Sequence, residues 1–283
     1  ITPRAAASTS YFNAVPVRGG LVLDLNDLRG MVELDRDKQI ARVLPGTTWC
    51  DLEDSLRLQG FAAKSYPSSA VAATVGGWVS THGYGIGSLR YGALRDQLIR
   101  LQVVLPDGEL CTVGHDTDPP LDWFVAAEGT LGVVTEVELT VRHSPDVESH
   151  HLFAFNDLSS LGQSILTLAR SEPRPFTVSF ADEGYLNLLA SAGFATPLDR
   201  EVSTTLPPSG EGIRSDLPTS TSSPQATSWG WYPYRSQPLV GKGLAAGAAQ
   251  AMLLVSFQGK PADVERGKES LLILPGRELT SEL

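Results

Sequence analysis

Through the first half of the chain, apolar and polar positions alternate in short runs, which predicts strands more than helices. Gly20-Leu21-Val22-Leu23-Asp24-Leu25 reads as a strand. Met31-Val32-Glu33-Leu34-Asp35 and Gln39-Ile40-Ala41-Arg42-Val43 alternate, with Asp35-Arg36-Asp37-Lys38 as the turn of a hairpin. A helix follows. Thr48 is placed to cap it, Asp51 opposes the dipole in its first turn, Leu52, Leu56 and Leu58 form the apolar stripe, and Gly60 ends it. Leu98 to Leu105 predicts another strand, stopped by Pro106-Asp107-Gly108-Glu109 and answered by Leu110 to Val113. Leu131 to Val141 alternates as a half-buried strand.

A break falls at Ser144-Pro145. Beyond it come a strand at Leu152 to Phe155 and a helix capped by Asn156 or Asp157 that carries Leu161, Ile165 and Leu168. A strand at Phe176 to Phe180 and a helix near Gly184 to Ala190 complete a β-α-β order. Ser203 to Ser228 is different in kind: 12 of its 26 residues are Ser or Thr, four are Pro and two are Gly, so it reads as a disordered linker. Trp229 to Tyr234 is aromatic but interrupted by Gly and Pro. Strand character at Leu253 to Phe257 and helix character at Ala262 to Leu272 resume the earlier pattern. The expected organisation is a first domain over 1–144, the start of a second over 145–202, an insertion or linker over 203–251, and a return to the second domain over 252–283.

Composition narrows the classes. With 42% apolar residues the chain can bury a core, and a formal charge of −10 argues against nucleic acid or an anionic membrane surface as partner. Cys50 and Cys111 are too few for a disulfide framework, a thiolate zinc site or a four-cysteine cluster, and a reducing, cytoplasmic setting is expected. The weakly polar run from Gly243 to Phe257 is too short to span a bilayer. The chain opens on Ile1-Thr2-Pro3-Arg4 without Met or signal peptide, and it reads as a fragment.

Three small-residue loops are the candidate chemistry. In Pro3-Arg4-Ala5-Ala6-Ala7-Ser8-Thr9-Ser10 the short side chains let backbone N–H groups approach an anion, although such a run also packs or starts helices. Pro67 to Gly85 spans nineteen residues, with paired glycines at Gly76-Gly77 and hydroxyls at Ser68, Ser69, Thr74, Ser80 and Thr81. That is long for a plain turn and reads as a ligand cradle. Ala126 to Thr135 is a glycine-bearing turn running into a strand, whose backbone can meet a purine or merely join a helix end to the strand.

The order and spacing of these loops resemble the FAD-linked oxidase family, flavoproteins with a PCMH-type (vanillyl-alcohol-oxidase-like) FAD domain. The likeness is to the branch holding glycolate oxidase D-subunits, D-lactate dehydrogenases and alkylglycerone-phosphate synthases. It covers about Ile1 to Arg142 and rests on Pro3 to Thr9, Pro67-Ser68-Ser69, Thr74-Val75-Gly76-Gly77, Tyr91-Gly92 with Asp96, Val103 to Glu109, and Glu128 to Thr135. The resemblance implies an α+β fold: a PCMH-type FAD-binding domain, incomplete at its N-terminus, followed by the start of a ferredoxin-like α+β cap. It implies non-covalent FAD, its diphosphate held by backbone amides from Pro3 and Arg4 through Ala5, Ala6, Ala7 and Ser8 to Thr9. Ser68, Ser69, Thr74, Val75, Gly76 and Gly77 would line the flavin–diphosphate side, continued by Thr81, His82, Gly83 and Tyr84. Glu128, Gly129, Thr130, Leu131, Gly132, Val133 and Val134 would meet the adenosine end. The reaction implied is hydride transfer from a small 2-hydroxy acid to flavin, with an iron–sulfur electron-acceptor subunit as partner. Gly77-Trp78-Val79-Ser80-Thr81 points to an alternative, a synthase-like flavin transferase, and a non-catalytic FAD-binding fragment is a further one.

The sequence departs from the family in three ways. Ala5, Ala6 and Ala7 stand where relatives have glycines, at a steric cost wherever φ is positive. No histidine sits in that loop for a covalent flavin link. Relatives carry a βαβ segment before this loop and a fuller cap plus a C-terminal lobe after it, and the resemblance implies that the substrate-binding and catalytic His or Arg residues fall largely in those parts, outside this sequence. His82 is weighed between cofactor contact and loop packing, and Arg90 and Arg95 between phosphate neutralisation and surface ion pairs. His115 and His143 suggest nothing. Adjacent His150 and His151 point to opposite faces and read as an exposed strand start. Both cysteines read as buried small apolar residues.

Overall fold

The structure, a computed structural model, describes residues 1–9, 11–191 and 249–279. The Ser/Thr/Pro tract at 203–228 and the aromatic run at 229–234 lie outside them. The chain forms two compact units: Ile1–His151 with Gly162–Ser179 and Leu254–Pro275, and Leu152–Leu161 with Phe180–Leu253 and Gly276–Leu283.

In the first unit, β1 (Thr2–Arg4) pairs in parallel with β2 (Val22–Asp24). β3 (Met31–Asp35) and β4 (Ile40–Val43) form the expected hairpin, closed by the Lys38 N–H on Asp35 Oδ1 at 2.9 Å. α1 (Trp49–Arg57) begins where the Thr48 hydroxyl accepts the Asp51 N–H at 3.1 Å. It buries Leu52 and Leu56 completely, each contributing about 1.5–3 kcal/mol, while Leu58 falls outside the stripe and stays exposed. β5 (Phe61–Ala63), α2 (Val75–Ser80) and α3 (Ser88–Tyr91) follow. β6 (Leu98–Val104), β7 (Leu110–Val113) and β8 (Val133–His143) then complete a six-stranded sheet of order β3-β4-β8-β6-β7, with β5 pairing β8 beyond that path.

β8 is the spine of that sheet, antiparallel to β4, β6 and β5. Its alternation turns Val137, Leu139 and Val141 into the core at zero exposure. The opposite face carries Glu136 and Glu138, matched by Arg42 at 3.7 Å and Arg100 at 2.8 Å. A polar hollow of about 390 Å³ on this face is lined by these same residues together with Glu33, Asp35 and Lys38. Its charges are already paired across strands, so it is part of the sheet's surface lattice.

The second sheet has the order β10-β11-β9-β12, from β9 (Val147–Phe155), β10 (Thr177–Asp182), β11 (Ala251–Gly259) and β12 (Arg277–Glu278). The helices are α4 (Leu158–Arg170), α5 (Glu183–Ser191) and α6 (Pro261–Glu269). Asp157, not Asn156, caps α4: its Oδ1 accepts the Ser160 N–H at 2.7 Å. β9 starts five residues before the predicted Leu152, because the polar run Val147 to His151 hid its extended backbone from a hydrophobic reading.

Candidate functional site

A cleft of about 510 Å³ in the first unit is walled by all three small-residue loops. Pro3 to Thr9 form one side. Pro67, Ser69, Thr74, Gly76, Gly77 and the run Ser80 to Tyr84 form the second, and Glu128, Gly129, Gly132, Val133 and Val134 the third. Ser68, Val75, Thr130 and Leu131 do not line it. Tyr11, Asn13, Ala14, Leu25, Pro45 and Ala73 join the lining without having been named for it, and Trp78 joins it too. Trp78 and Ser80 had a signal, lying inside the Gly77–Thr81 motif, whereas nothing local marks Pro45.

The first loop leaves β1 with its first two carbonyls engaged and its amides open. The Arg4 carbonyl accepts the Leu25 N–H at 2.7 Å, and Asn26 Nδ2 donates to the Ala5 carbonyl at 3.3 Å. Arg4 lies 3.8 Å from Asp24, both partly exposed. Among the described residues, the backbone N–H groups of Ala5, Ala6, Ala7 and Ser8 find no acceptor. Four consecutive unspent donors on a cleft wall are what an anionic group needs. Ala7 sits at φ +51°, so the loop takes a path glycine would take without strain.

The second loop is closed on itself. Its base is the Tyr66–Ile86 bridge, with backbone bonds of 3.0 and 2.9 Å. The Ala72 and Ala73 N–H groups donate to the Ser69 carbonyl, Val75 N–H to Thr47, Gly76 N–H to Pro45 and Gly77 N–H to the Thr74 hydroxyl. The amides at the start of α2 are therefore already spent. A Cβ at Gly76 would run into Pro45, and one at Gly83 into the Trp78 ring. These glycines serve contacts of protein on protein. Trp78 in turn packs edge to face on the fully buried Trp49, with ring centroids 4.9 Å apart.

The third loop is pinned to the end of α2 by Ala126 N–H on the Val79 carbonyl and Glu128 N–H on the Ser80 carbonyl, at 3.2 and 3.0 Å. Ala126 and Glu128 both adopt positive φ, as does Gly129 at +75°. A Cβ on Gly129 would overlap the Pro3 ring, so this glycine lets the first and third loops meet. His82, at φ +53°, lines the cleft beside the exposed Tyr84 ring, centroids 5.2 Å apart.

The remaining candidates sort by their partners. Arg95 makes a two-pronged pair with Asp122 at 2.6 and 2.8 Å. That pairing holds the Asp122 carboxyl below its usual range. Arg90 instead donates to the Gln258 carbonyl at 2.6 Å. His150 corrects the expectation of an exposed strand start: its side chain is 20% exposed and Nδ1 lies 2.8 Å from Ser256 Oγ. Burial, then the neighbouring His151, pushes its pKa down to about 4. Cys50 is buried, but Cys111 is only partly so. Among the described residues no cluster of His, Cys, Asp or Glu can hold a metal, and no helix is long and apolar enough to cross a membrane.

Residues 1–114 match the FAD binding domain family. Glycolate oxidase subunit GlcD of Bacillus subtilis is 28% identical over 189 residues, 65% of this chain and 40% of that protein. A D-lactate dehydrogenase of Anaerostipes hadrus is 30% identical over 51% of this chain and 32% of its own length. Alkyldihydroxyacetonephosphate synthase of Caenorhabditis elegans is 31% identical over 54% and 27%. A solved structure of an alkyldihydroxyacetonephosphate synthase superposes at a TM-score of 0.71 with 19% identity, over 98% of this chain and 48% of the other. The chain thus spans less than half the length of these relatives. Residues 1–114 are thus similar to an FAD binding domain, and FAD is the cofactor this similarity supports. The cleft fits that group: a wall with amides at Ala5 to Ser8 that are open among the described residues, the hydroxyls of Ser8 and Ser69 on the lining, and Arg4 as a nearby cation.

Proposed function

We propose that this chain is the cofactor-binding part of an FAD-dependent oxidoreductase that oxidises a small 2-hydroxy acid. The observation that carries the reading is the run of four unspent amides, Ala5 to Ser8, on the wall of a cleft closed by two further loops. These amides and Arg4 would hold the diphosphate. Ser69, Gly77 and Thr81 to Tyr84 would flank the flavin side, and Glu128, Gly129 and Gly132 to Val134 the adenosine side. No covalent link to the cofactor is expected from the first loop, which has no histidine or cysteine. When bound, FAD supplies the two-electron acceptor for a substrate C–H bond. The residues of this chain bind and orient it: the second loop keeps one wall rigid through its internal bonds, and Trp78 and Tyr84 present aromatic surface. The substrate class follows the relatives named for glycolate oxidase and D-lactate dehydrogenase, both acting on 2-hydroxy acids. An iron–sulfur subunit is the electron acceptor proposed.

A second reading, a synthase-like transferase that uses the flavin without net oxidation, is favoured by the Gly77-Trp78-Val79-Ser80-Thr81 stretch, in which Trp78 lines the cleft. The two part under one experiment. The purified protein is loaded with FAD, made anaerobic and mixed with glycolate or D-lactate. Loss of the oxidised-flavin absorbance supports the oxidoreductase. Retained flavin that neither acid bleaches, in a full-length version of the protein, counts against the oxidoreductase, and a protein that takes up no FAD overturns both.

A further inference from the structure

Beside the strand that leads into the second loop lies a buried cation that the cofactor site does not account for. Arg142 on β8 is 9% exposed. Its Nε donates to the Ala63 carbonyl at 3.1 Å, and its Nη2 to Gln258 Oε1 at 2.7 Å. The guanidinium lies over the Phe176 ring, 4.9 Å from its centroid, and 5.7 Å from that of Tyr91. Among the described residues no carboxylate reaches it. Glu53, whose charge acts on it, is occupied by Arg57 Nε at 2.7 Å and by the Ala63 N–H at 2.8 Å. Burial lowers the pKa of Arg142, yet a guanidinium stays charged. A desolvated charge without a counter-ion is costly, and an apolar residue of the same size would fill the space at lower cost.

Its position indicates what the charge does. Ala63 ends β5, and the next residues run straight through Tyr66 to Pro67 and Ser69 on the cleft wall. The Phe176 ring under the guanidinium is 6.1 Å from that of Tyr66, and the Phe176 carbonyl accepts the Gly87 N–H just past the loop's other end. Arg142 therefore grips the root of the second loop. We propose that Arg142 is a positioning residue for the flavin end of the cleft, fixing the segment from Ala63 to Ser69, and that its unpaired charge raises the reduction potential of the bound flavin. A fixed cation near the ring favours the reduced, electron-richer form. This inference rests on the FAD reading above.

The test uses the whole chain and two readouts, the FAD dissociation constant and the midpoint potential of bound flavin. Arg142→Met is expected to weaken FAD binding about tenfold and to make the potential more negative. Arg142→Lys keeps the charge but not the two-pronged grip, and Gln258→Leu frees one prong. Each is expected to weaken binding about threefold with the parental potential retained. Parental values of both quantities in Arg142→Met overturn the proposal. So does weaker binding with an unmoved potential, which leaves Arg142 a purely structural residue. Should Arg142→Met fail to fold, parental affinity in both Arg142→Lys and Gln258→Leu overturns it equally. Failure of the parent chain to bind FAD appears before any variant is made and refutes the cofactor reading itself.

Discussion

The two long walls of the cleft reach similar surfaces by opposite means. The second loop, Pro67 to Gly85, is rich in glycine and hydroxyl residues, yet its amides at Val75, Gly76 and Gly77 donate within the protein and its glycines admit Pro45 and the Trp78 ring. The first loop has no glycine between Pro3 and Thr9, and it is the one whose amides stand open. Glycine content thus reports close approach of any kind, including protein on protein. Open donors on a cleft wall leave room for an anionic ligand to replace water. One wall is a self-satisfied scaffold, and the other is the binding surface it supports.

Substitutions separate these roles. The largest effect is expected at Gly83→Val, where the new side chain has no room beside Trp78. The scaffold should lose about 3 kcal/mol or more, read as a drop in the denaturant midpoint, with flavin affinity lost as a consequence. If Gly83→Val is as stable as the parent, the second loop is not the packed scaffold described here. Gly129→Val forces a branched residue into positive φ against Pro3 and should separate the first and third loops. A stability loss of about 2 kcal/mol is expected together with about tenfold weaker FAD binding by fluorescence titration. Unchanged affinity would place the adenosine end elsewhere.

A smaller effect is expected from His150, away from both walls. Its folded pKa of about 4 lies below the ordinary 6.5 because burial disfavours the charged ring. The unfolded chain therefore binds a proton first, so stability is complete above about pH 6.5 and declines as pH falls toward 4. Urea unfolding of His150→Asn should show a flatter decline across that window, and an identical pH profile would refute the assignment. Smallest is Ala7→Gly, which relieves positive φ without adding a contact. A gain of up to about 1 kcal/mol is expected, with FAD affinity unchanged. A marked change in affinity would mean that the alanine methyl touches the cofactor.

Much of the first unit was legible because its strands alternate against one core. Met31 to Val43, Leu98 to Val113 and the run ending in Val141 were each readable from period-two patterning, and Thr48 from its place before Leu52 and Leu56. The elements that escaped are short or serve the site. β5 is three residues long, too short for any period to show. α2 opens Val75-Gly76-Gly77, where paired glycines read as a loop, and it is a helix because Thr74 caps it and Thr47 and Pro45 take its first amides. Arg142 passed unnoticed since nothing in Val141-Arg142-His143 marks a residue turned inward onto Phe176, thirty-four positions away in sequence.

Most of the longer strands of the first unit and their turns were readable along the chain, as was the order of three small-residue loops, 56 and 40 residues apart, that resembles one kind of cofactor domain. Those are properties of neighbours along the chain and of motif order. The folded chain alone reveals which amides remain open, which glycines admit protein instead of ligand, and where a guanidinium sits with no carboxylate at hand among the described residues. Each of these depends on partners brought together from distant parts of the chain, and hydrogen-bond satisfaction and burial exist only once those partners meet.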